Sequence, residues 1–221
     1  VHAVRRLDAL RASLMELVVT SATRADVPAA ADVLAEAFRD DAATLAITGL
    51  GRPTVAQLAA LFRPLISSGP LRHGHVDLAR RADDGTLVGV ALWEPPGRVS
   101  SLAHLAHEAA ELPAFLRALG VRGMVRAARN QTRLATHRPS EPHWYLAMIG
   151  AADEARGAGV GSALLAARLA VVDADAMPAY LESSSEQNRR LYARHGFATT
   201  SIITAVEGAR PAAMWRPARR G

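Results

Sequence analysis

Between an apolar run from Trp144 to Ala151 (WYLAMIGA) and a longer one beginning at Val160, the chain places Arg156-Gly157-Ala158-Gly159-Val160-Gly161. Glycine at every second position behind an arginine, where a strand-like run passes into a helix-like one, is a pattern for holding an anion. Without Cβ atoms the backbone approaches a phosphate closely, its N–H groups donate, and the N-terminal end of the helix adds a favourable dipole. Glycines at such a junction also make ordinary tight turns; their number and the flanking Arg156 favour the anion cradle. Two common phosphate loops are excluded by residue type. A Walker A loop requires lysine after its last glycine, and the chain has no lysine. A dinucleotide fingerprint reads G-x-G-x-x-G, whereas Ser162 stands here where the last glycine falls, late in the chain and after a hairpin.

Other chemistry-bearing residue types are sparse. There is no cysteine, which removes disulfides, thiolate metal sites and a cysteine nucleophile, and suits a cytoplasmic protein. His73 and His75 have His-Gly-His spacing, but two histidines without further ligands make a poor metal site, and no metal is expected. Trp93 and Trp144 read as core residues, with stacking on a substrate a second possibility for Trp144.

The loop needs a framework to hold it. Leu17 to Thr20 suit a strand. Thr23, with Asp26 three residues on, caps a helix whose apolar positions Val27, Ala30, Val33, Leu34, Ala37 and Phe38 keep helical spacing. A second helix begins at Thr54. HVDLAR, the turn ADDG and TLVGVALWE form a hairpin ended by Pro95, Pro96 and Gly97. From Ser101 to about Leu134 the pattern is helical, with interruptions expected near Pro113 and Gly120 to Gly123. WYLAMIGA, the glycine loop and its helix follow. Then come a short strand in PAYLESSS, a short helix in EQNRRLYARHG closed by Gly196, and two final strands in FATTSIITAVE and PAAMWRPA. No repeat or linker divides the chain, so 15–221 reads as one mixed α/β domain. Residues 1–14 read as an N-terminal extension, for which disorder is one expectation.

Composition narrows the partners. All 26 basic residues are arginine and the net charge is +5, but they are scattered, and aromatics at 5% are too few for a base-stacking platform, so no nucleic-acid partner is expected. No run approaches 18 uncharged apolar residues, and VHAVRRLDALRASLMELVV lacks a clean apolar secretory core. No membrane association is expected.

The motif Arg156–Gly161 resembles the (Q/R)-x-x-G-x-(G/A) pyrophosphate loop of the GNAT superfamily of N-acetyltransferases, and the order of elements is similar. Within that superfamily the chain is most similar to the group of puromycin N-acetyltransferase and its actinobacterial relatives. TSATRADVPAAADVLAEAF, HRPSEPHWYLAMIGAADEARGAGVGSALL and PAYLESSSEQNRRLYARHGF carry the resemblance; residues 1–14 and about 98–135 match poorly. It implies a GNAT fold of the α/β (α+β) class, with a mixed, mostly antiparallel central sheet, two splayed parallel strands (WYLAMIGA and PAYLES) and helices on both faces. It implies acetyl-coenzyme A as co-substrate. Ile149, Gly150 and Ala151 would pair with the pantetheine arm, and the N–H groups of Arg156, Gly157, Ala158, Gly159, Val160, Gly161 and Ser162 would hold the pyrophosphate. Ala151 and Asp153 depart from the valine and proline usual in the family.

Acetyl transfer to an amine requires a deprotonated amine, donors for the developing oxyanion, and a partner for the departing thiolate. Tyr192 matches the tyrosine that the family places beside the sulfur. A thiol titrates near 8.5 and a phenol near 10, so full proton transfer from Tyr192 is uphill by roughly 1.5 pH units, and a hydrogen bond serves as well. Asn188, one turn earlier, is placed either to bond the cofactor or to serve the first turn of its helix. Glu182, at the end of the second splayed strand, is the expected base, with His143, Tyr145 and Glu141 as second choices. With no cysteine, direct attack in a ternary complex is expected. The leading reading is acetylation of a small-molecule amine, such as an antibiotic or aminonucleoside, by a monomer or homodimer. The alternatives are a protein lysine or N-terminal acetyltransferase, and a non-catalytic acyl-coenzyme A-binding regulatory domain. The stretch 98–135 separates the first two: folded over the acceptor cleft it favours small substrates.

Because the domain pattern begins just after Met15, deleting residues 1–14 is expected to leave the melting temperature and coenzyme A affinity almost unchanged. A fall of many degrees in a thermal melt would place the extension inside the packed domain.

Overall fold

A computed structural model describes residues 15–97 and 102–219; the expected extension 1–14 lies outside the described residues. The strands are β1 (Leu17–Ser21), β2 (His75–Arg81), β3 (Leu87–Glu94), β4 (Trp144–Ala151), β5 (Ala179–Ser183), β6 (Ala198–Ile202) and β7 (Ala212–Arg216). They form one seven-stranded sheet in the order β1-β2-β3-β4-β5-β7-β6. Every neighbouring pair is antiparallel except β4 and β5. The helices are α1 (Val27–Phe38), α2 (Ala42–Thr48), α3 (Val55–Ser68), α4 (Pro70–His73), α5 (Leu102–Ala135), α6 (Val160–Ala174) and α7 (Glu186–Arg194).

Local chemistry sets most of these boundaries. Thr54 and Gln57 cap α3 reciprocally: the Gln57 N–H donates to Thr54 Oγ1 at 3.2 Å, and the Thr54 N–H to Gln57 Oε1 at 2.9 Å. In the β2–β3 turn Gly85 takes φ +73°, and the Thr86 N–H donates to Asp84 Oδ1 at 2.9 Å. Thr23 and Asp26 are hydrogen-bonded as expected, but they head a short 3₁₀ turn (Arg24–Asp26), and α1 proper starts at Val27. Helix α2 was not foreseen. Its signals are Asp41 at the N-cap, whose Oδ2 accepts the Thr44 N–H at 2.8 Å, and Gly49 at φ +74° closing it. The interruption expected at Pro113 is also absent: within α5 only Gly120 (φ +65°, ψ 172°) leaves helical geometry.

The sheet is covered on both faces. Val27, Leu34, Leu58 and Phe62 of α1 and α3 pack on Val76, Leu78, Val90 and Leu92. Val160, Leu164, Leu165 and Leu169 of α6 pack on Ala79, Val88, Ala91 and Trp93 on the other face. Strand alternation produces this division. A register shift between Ala79 and Arg80 explains why Val88 faces α6 although Val90, two residues on, faces α1. Trp93 and Trp144 are both buried in the core.

Strands β4 and β5 pair only over Trp144–Leu146 and Ala179–Leu181. Beyond that point β4 continues with β3 as far as Ala151, and β5 continues with β7 as far as Ser183. The β3–β4 register shifts at the same place, leaving Ala147 unmatched between Leu146 and Met148. A bulge there bends and twists β4 away from β5 and opens a V between them.

One buried ion pair pins α6 to the sheet. Arg168 donates through Nε to Asp77 Oδ2 of β2 at 2.9 Å and through Nη2 to Oδ1, and the two side chains are only 9% and 5% exposed. Removing one partner strands a buried charge. Asp77→Asn is expected to cost about 3–5 kcal/mol in urea denaturation, whereas Asp77→Leu with Arg168→Met should be near neutral. A single variant that loses less than about 1 kcal/mol would show that the guanidinium finds water instead.

Candidate active site

The V opens toward the loop that follows β4. After Ala151 the chain makes a 3₁₀ turn (Asp153–Ala155) and reaches α6 through Arg156 to Gly159. Gly157 and Gly159 have φ of +81° and +87°, and a Cβ on either would point into open space. Glycine is therefore required by conformation, and the space beyond the loop is free for a ligand to approach. Gly161 has a different reason: a Cβ there would lie 2.9 Å from Leu191 Cδ2, so its absence lets the start of α6 rest against α7. The Arg156 side chain pairs with Asp153 (Nη2–Oδ1 2.8 Å) and is largely exposed.

Helix α7 begins at Ser185, whose Oγ accepts the Asn188 N–H at 3.1 Å. The backbone of Asn188 thus serves the first turn, while its side chain reaches the cavity at the mouth of the V. That cavity has a volume of about 360 Å3 and is walled by α2, α3, α5, β4, the end of β5 and α7. Leu61, Phe62, Phe115, Leu119, Met124, Leu134 and Met148 make it predominantly apolar. Phe115, Leu119, Met124 and Leu134 of α5 form one wall of it, and α5 packs on α2 and α3.

Tyr192 lines the cavity and is 5% exposed, held edge-on against Phe197 at 6.1 Å between ring centroids. Burial, with the Asp41 carboxylate adding to it, pushes its phenol well above the ordinary tyrosine range. Glu182 also reaches the cavity but is engaged. Its Oε2 accepts the Tyr145 hydroxyl at 2.7 Å, its Oε1 lies 3.5 Å from Arg138 Nε, and its side chain is 8% exposed. The Arg138 guanidinium lies over the Tyr145 ring at 3.7 Å. Burial, then Glu182, holds Tyr145 firmly protonated.

The other basic candidates separate. Tyr145 reaches the cavity as a donor to Glu182. His143 is bound at Nδ1 to the Glu141 carbonyl at 2.6 Å, packs edge-on to Tyr180 and Trp215, and is not among the residues that line the cavity. The Glu141 side chain is exposed. His75 lies 5.3 Å from the Trp144 ring, and burial followed by Arg168 lowers its pKa; among the described residues no cluster of three metal-ligating side chains exists. No helix among them is long and apolar enough to cross a membrane. Sequence reasoning missed Asp41 and Arg138. The capping pattern at Asp41 was available as a structural signal; nothing local marks Arg138, whose partners lie on two strands.

Ile149 lines the cavity, and Ile149, Gly150 and Ala151 pair with β3 on one edge while the other edge faces the V. Half the backbone groups of an antiparallel strand point to each side, so this edge offers donors and acceptors to a bound chain.

Comparison with known proteins agrees with this geometry. Residues 65–197 match the model of the Acetyltransferase (GNAT) family. A crystal structure of "histone acetyltransferase HPA2 and related acetyltransferase" from Corynebacterium glutamicum ATCC 13032 is 34% identical, covers 94% of this chain and 99% of its own, and has a TM-score of 0.73. Arylalkylamine N-acetyltransferase 2 from Aedes aegypti shares the fold at 14% identity, 91% and 99% coverage and a TM-score of 0.59. An agmatine N-acetyltransferase does so at 17% identity, 90% and 96% coverage and a TM-score of 0.52. The family uses acetyl-coenzyme A as co-substrate. With the seven-stranded sheet, the parted parallel pair and the glycine loop in place, the chain belongs to the GNAT family of N-acetyltransferases.

Proposed function

We propose that the protein acetylates the primary amine of a small molecule, with an antibiotic or aminonucleoside-like acceptor and a detoxifying role, by direct attack while both substrates are bound. The observation that carries this reading is the cavity at the mouth of the V. Its volume of about 360 Å3 and apolar walls suit a compact organic molecule. An extended peptide is better served by a long open groove, and here helices α2, α3 and α5 wall the space.

The residues fit acetyl-coenzyme A. Open space beyond Gly157 and Gly159 lets a pyrophosphate settle on the N–H groups of Arg156 to Ser162 at the start of α6. The free edge of Ile149 to Ala151 is the pairing partner for pantetheine, and the Asn188 side chain lies beside it. Tyr192 then stands by the sulfur. Its raised pKa makes it a reluctant acid, so it keeps its proton and serves the departing thiolate as a hydrogen-bond donor. Glu182 receives the acceptor's proton directly or through water, oriented by Tyr145 and Arg138. The sequence contains no cysteine, so the acyl group has no thiol in this chain to visit.

A thiol-release assay with acetyl-coenzyme A and a panel of amines, puromycin included, tests the reading directly. Tight cofactor binding with no turnover on any amine would instead support a regulatory acyl-coenzyme A domain. Gly159→Val forces a β-branched residue into a left-handed conformation and turns loop N–H groups away from the phosphates. Calorimetry should show coenzyme A binding weakened from about tenfold to several hundredfold, the loss of one or two hydrogen bonds to a charged group. Wild-type affinity in a folded variant would remove the loop from the cofactor site. Tyr192→Phe should leave acetyl-coenzyme A affinity nearly unchanged and lower kcat by about 10–100-fold, as loss of a transition-state hydrogen bond requires. An unchanged kcat with chemistry limiting would make Tyr192 a packing residue.

A further inference from the structure

Two charged side chains line the cavity, Asp41 and Glu182. Their surroundings differ. The charge of Glu182 is already opposed by Arg138 and its second oxygen is occupied by the Tyr145 hydroxyl. Asp41 has no ion-pair partner among the described residues; its Oδ2 accepts only the Thr44 N–H at 2.8 Å. Ile47, Phe62 and Phe115 line the same cavity. An apolar cavity that holds one carboxylate without a cationic partner is complementary to one cation on an apolar body.

Asp41 and Tyr192 line the same cavity, and the carboxylate adds to the burial that raises that phenol. A cation bound to Asp41 therefore shares the cavity with the side chain that, on the reading above, stands by the thioester. Both the primary amine that reacts and the charge that is recognised then belong to the same nitrogen.

We propose that the acceptor class of this site is a primary amine carrying a single positive charge on an apolar, preferably aromatic, body, and that Asp41 selects it by pairing with the ammonium. This rests on the amine acetyltransferase reading above. It excludes polyamines, whose second ammonium finds no opposing charge in the cavity beyond Glu182, already paired with Arg138. It also excludes amino acids, whose carboxylate meets two carboxylates and no free cation among the lining residues. The role of Asp41 is recognition, while proton removal stays with Glu182.

The test uses 2-phenylethylamine, spermidine and phenylalanine as acceptors in the thiol-release assay, with the wild-type chain and Asp41→Asn. Asparagine caps a helix as well as aspartate does, so α2 should survive. The expected result is preference for 2-phenylethylamine over the other two. In Asp41→Asn its KM should rise by about 10–100-fold, the range for losing a charge-assisted hydrogen bond, with acetyl-coenzyme A affinity unchanged. Inhibition by the neutral isostere 2-phenylethanol should not weaken in the variant, because it offers no charge to Asp41. Turnover that favours spermidine or phenylalanine, or a folded variant whose KM for 2-phenylethylamine equals wild type, overturns the inference and leaves the amine acetyltransferase reading intact. Acetyl-coenzyme A binding without turnover of any amine overturns that reading itself. In that event calorimetric titration of 2-phenylethylamine into the coenzyme A complex, wild type against Asp41→Asn, still decides whether Asp41 holds an ammonium.

Discussion

The site exists because β4 and β5 stop pairing after Leu146 and Leu181. A buried backbone group without a hydrogen bond costs about 1–3 kcal/mol, so two parallel strands in mid-sheet do not part without support. Here the support is on their outer edges. Strand β3 holds β4 as far as Ala151, and β7, inserted between β5 and β6, holds β5 as far as Ser183. The bulge at Ala147 supplies the bend. The inner edges are left facing a gap, and a gap lined by backbone donors and acceptors is a binding site for an extended polar chain. The glycine loop hangs from the end of one strand and α7 from the end of the other, and they meet where Gly161 admits Leu191.

Three carboxylates show how the fold sorts charge. Asp77 is buried and matched by Arg168 in a bidentate pair, fixing α6 against β2. Glu182 is matched by Arg138 and Tyr145 at the mouth of the V. Asp41 is tied only through a helix cap and shares a cavity with apolar side chains. The first is a matter of stability, because its charges are closed off on each other. The last has no cationic partner among the described residues, which is why it carries the proposal for an ammonium. Glu182 lies between: charged, oriented, and within reach of a ligand, yet with its geometry dictated by residues on β4 and in the turn before it. Tyr192 completes the arrangement by keeping its proton.

Features of the chain that depend on near neighbours were legible in sequence. The Asp84-Gly85 turn, the helix start at Thr54 and the strand-to-helix junction at Arg156–Gly161 each act within a few residues, and each appears where the pattern put it. Helix α2 shows no such pattern: Asp41 and Gly49 bracket only seven residues, about two turns, too short for a helical period to repeat. Pro113 was given too much weight, since a long helix tolerates the loss of one N–H when the rest of its hydrogen bonds remain. The parting of β4 and β5 was expected from family resemblance and not from any residue. The pairs Asp77–Arg168 and Tyr145–Glu182 join positions 91 and 37 residues apart, and no pattern in either segment announces its partner.

The two halves of the cavity differ in the same way. At the loop, glycine at positive φ and glycine at a close approach are required by backbone geometry, so the residue types themselves mark the place. On the acceptor side the walls come from α2, α3 and α5. Phe62 and Leu61 satisfy helical spacing and count as core, and both in fact have a second surface on the cavity. An amphipathic helix that covers a sheet and one that also lines a pocket use the same residue types, because both bury apolar area. What distinguishes them is a polar group left unmatched among apolar neighbours, and that becomes visible only when the neighbours are in place. On the proposed reading, acceptor choice changes through single side chains on these three helices while the loop, the parted strands and Tyr192 stay as they are, so that the choice of amine rests with the ordinary-looking part of the sequence.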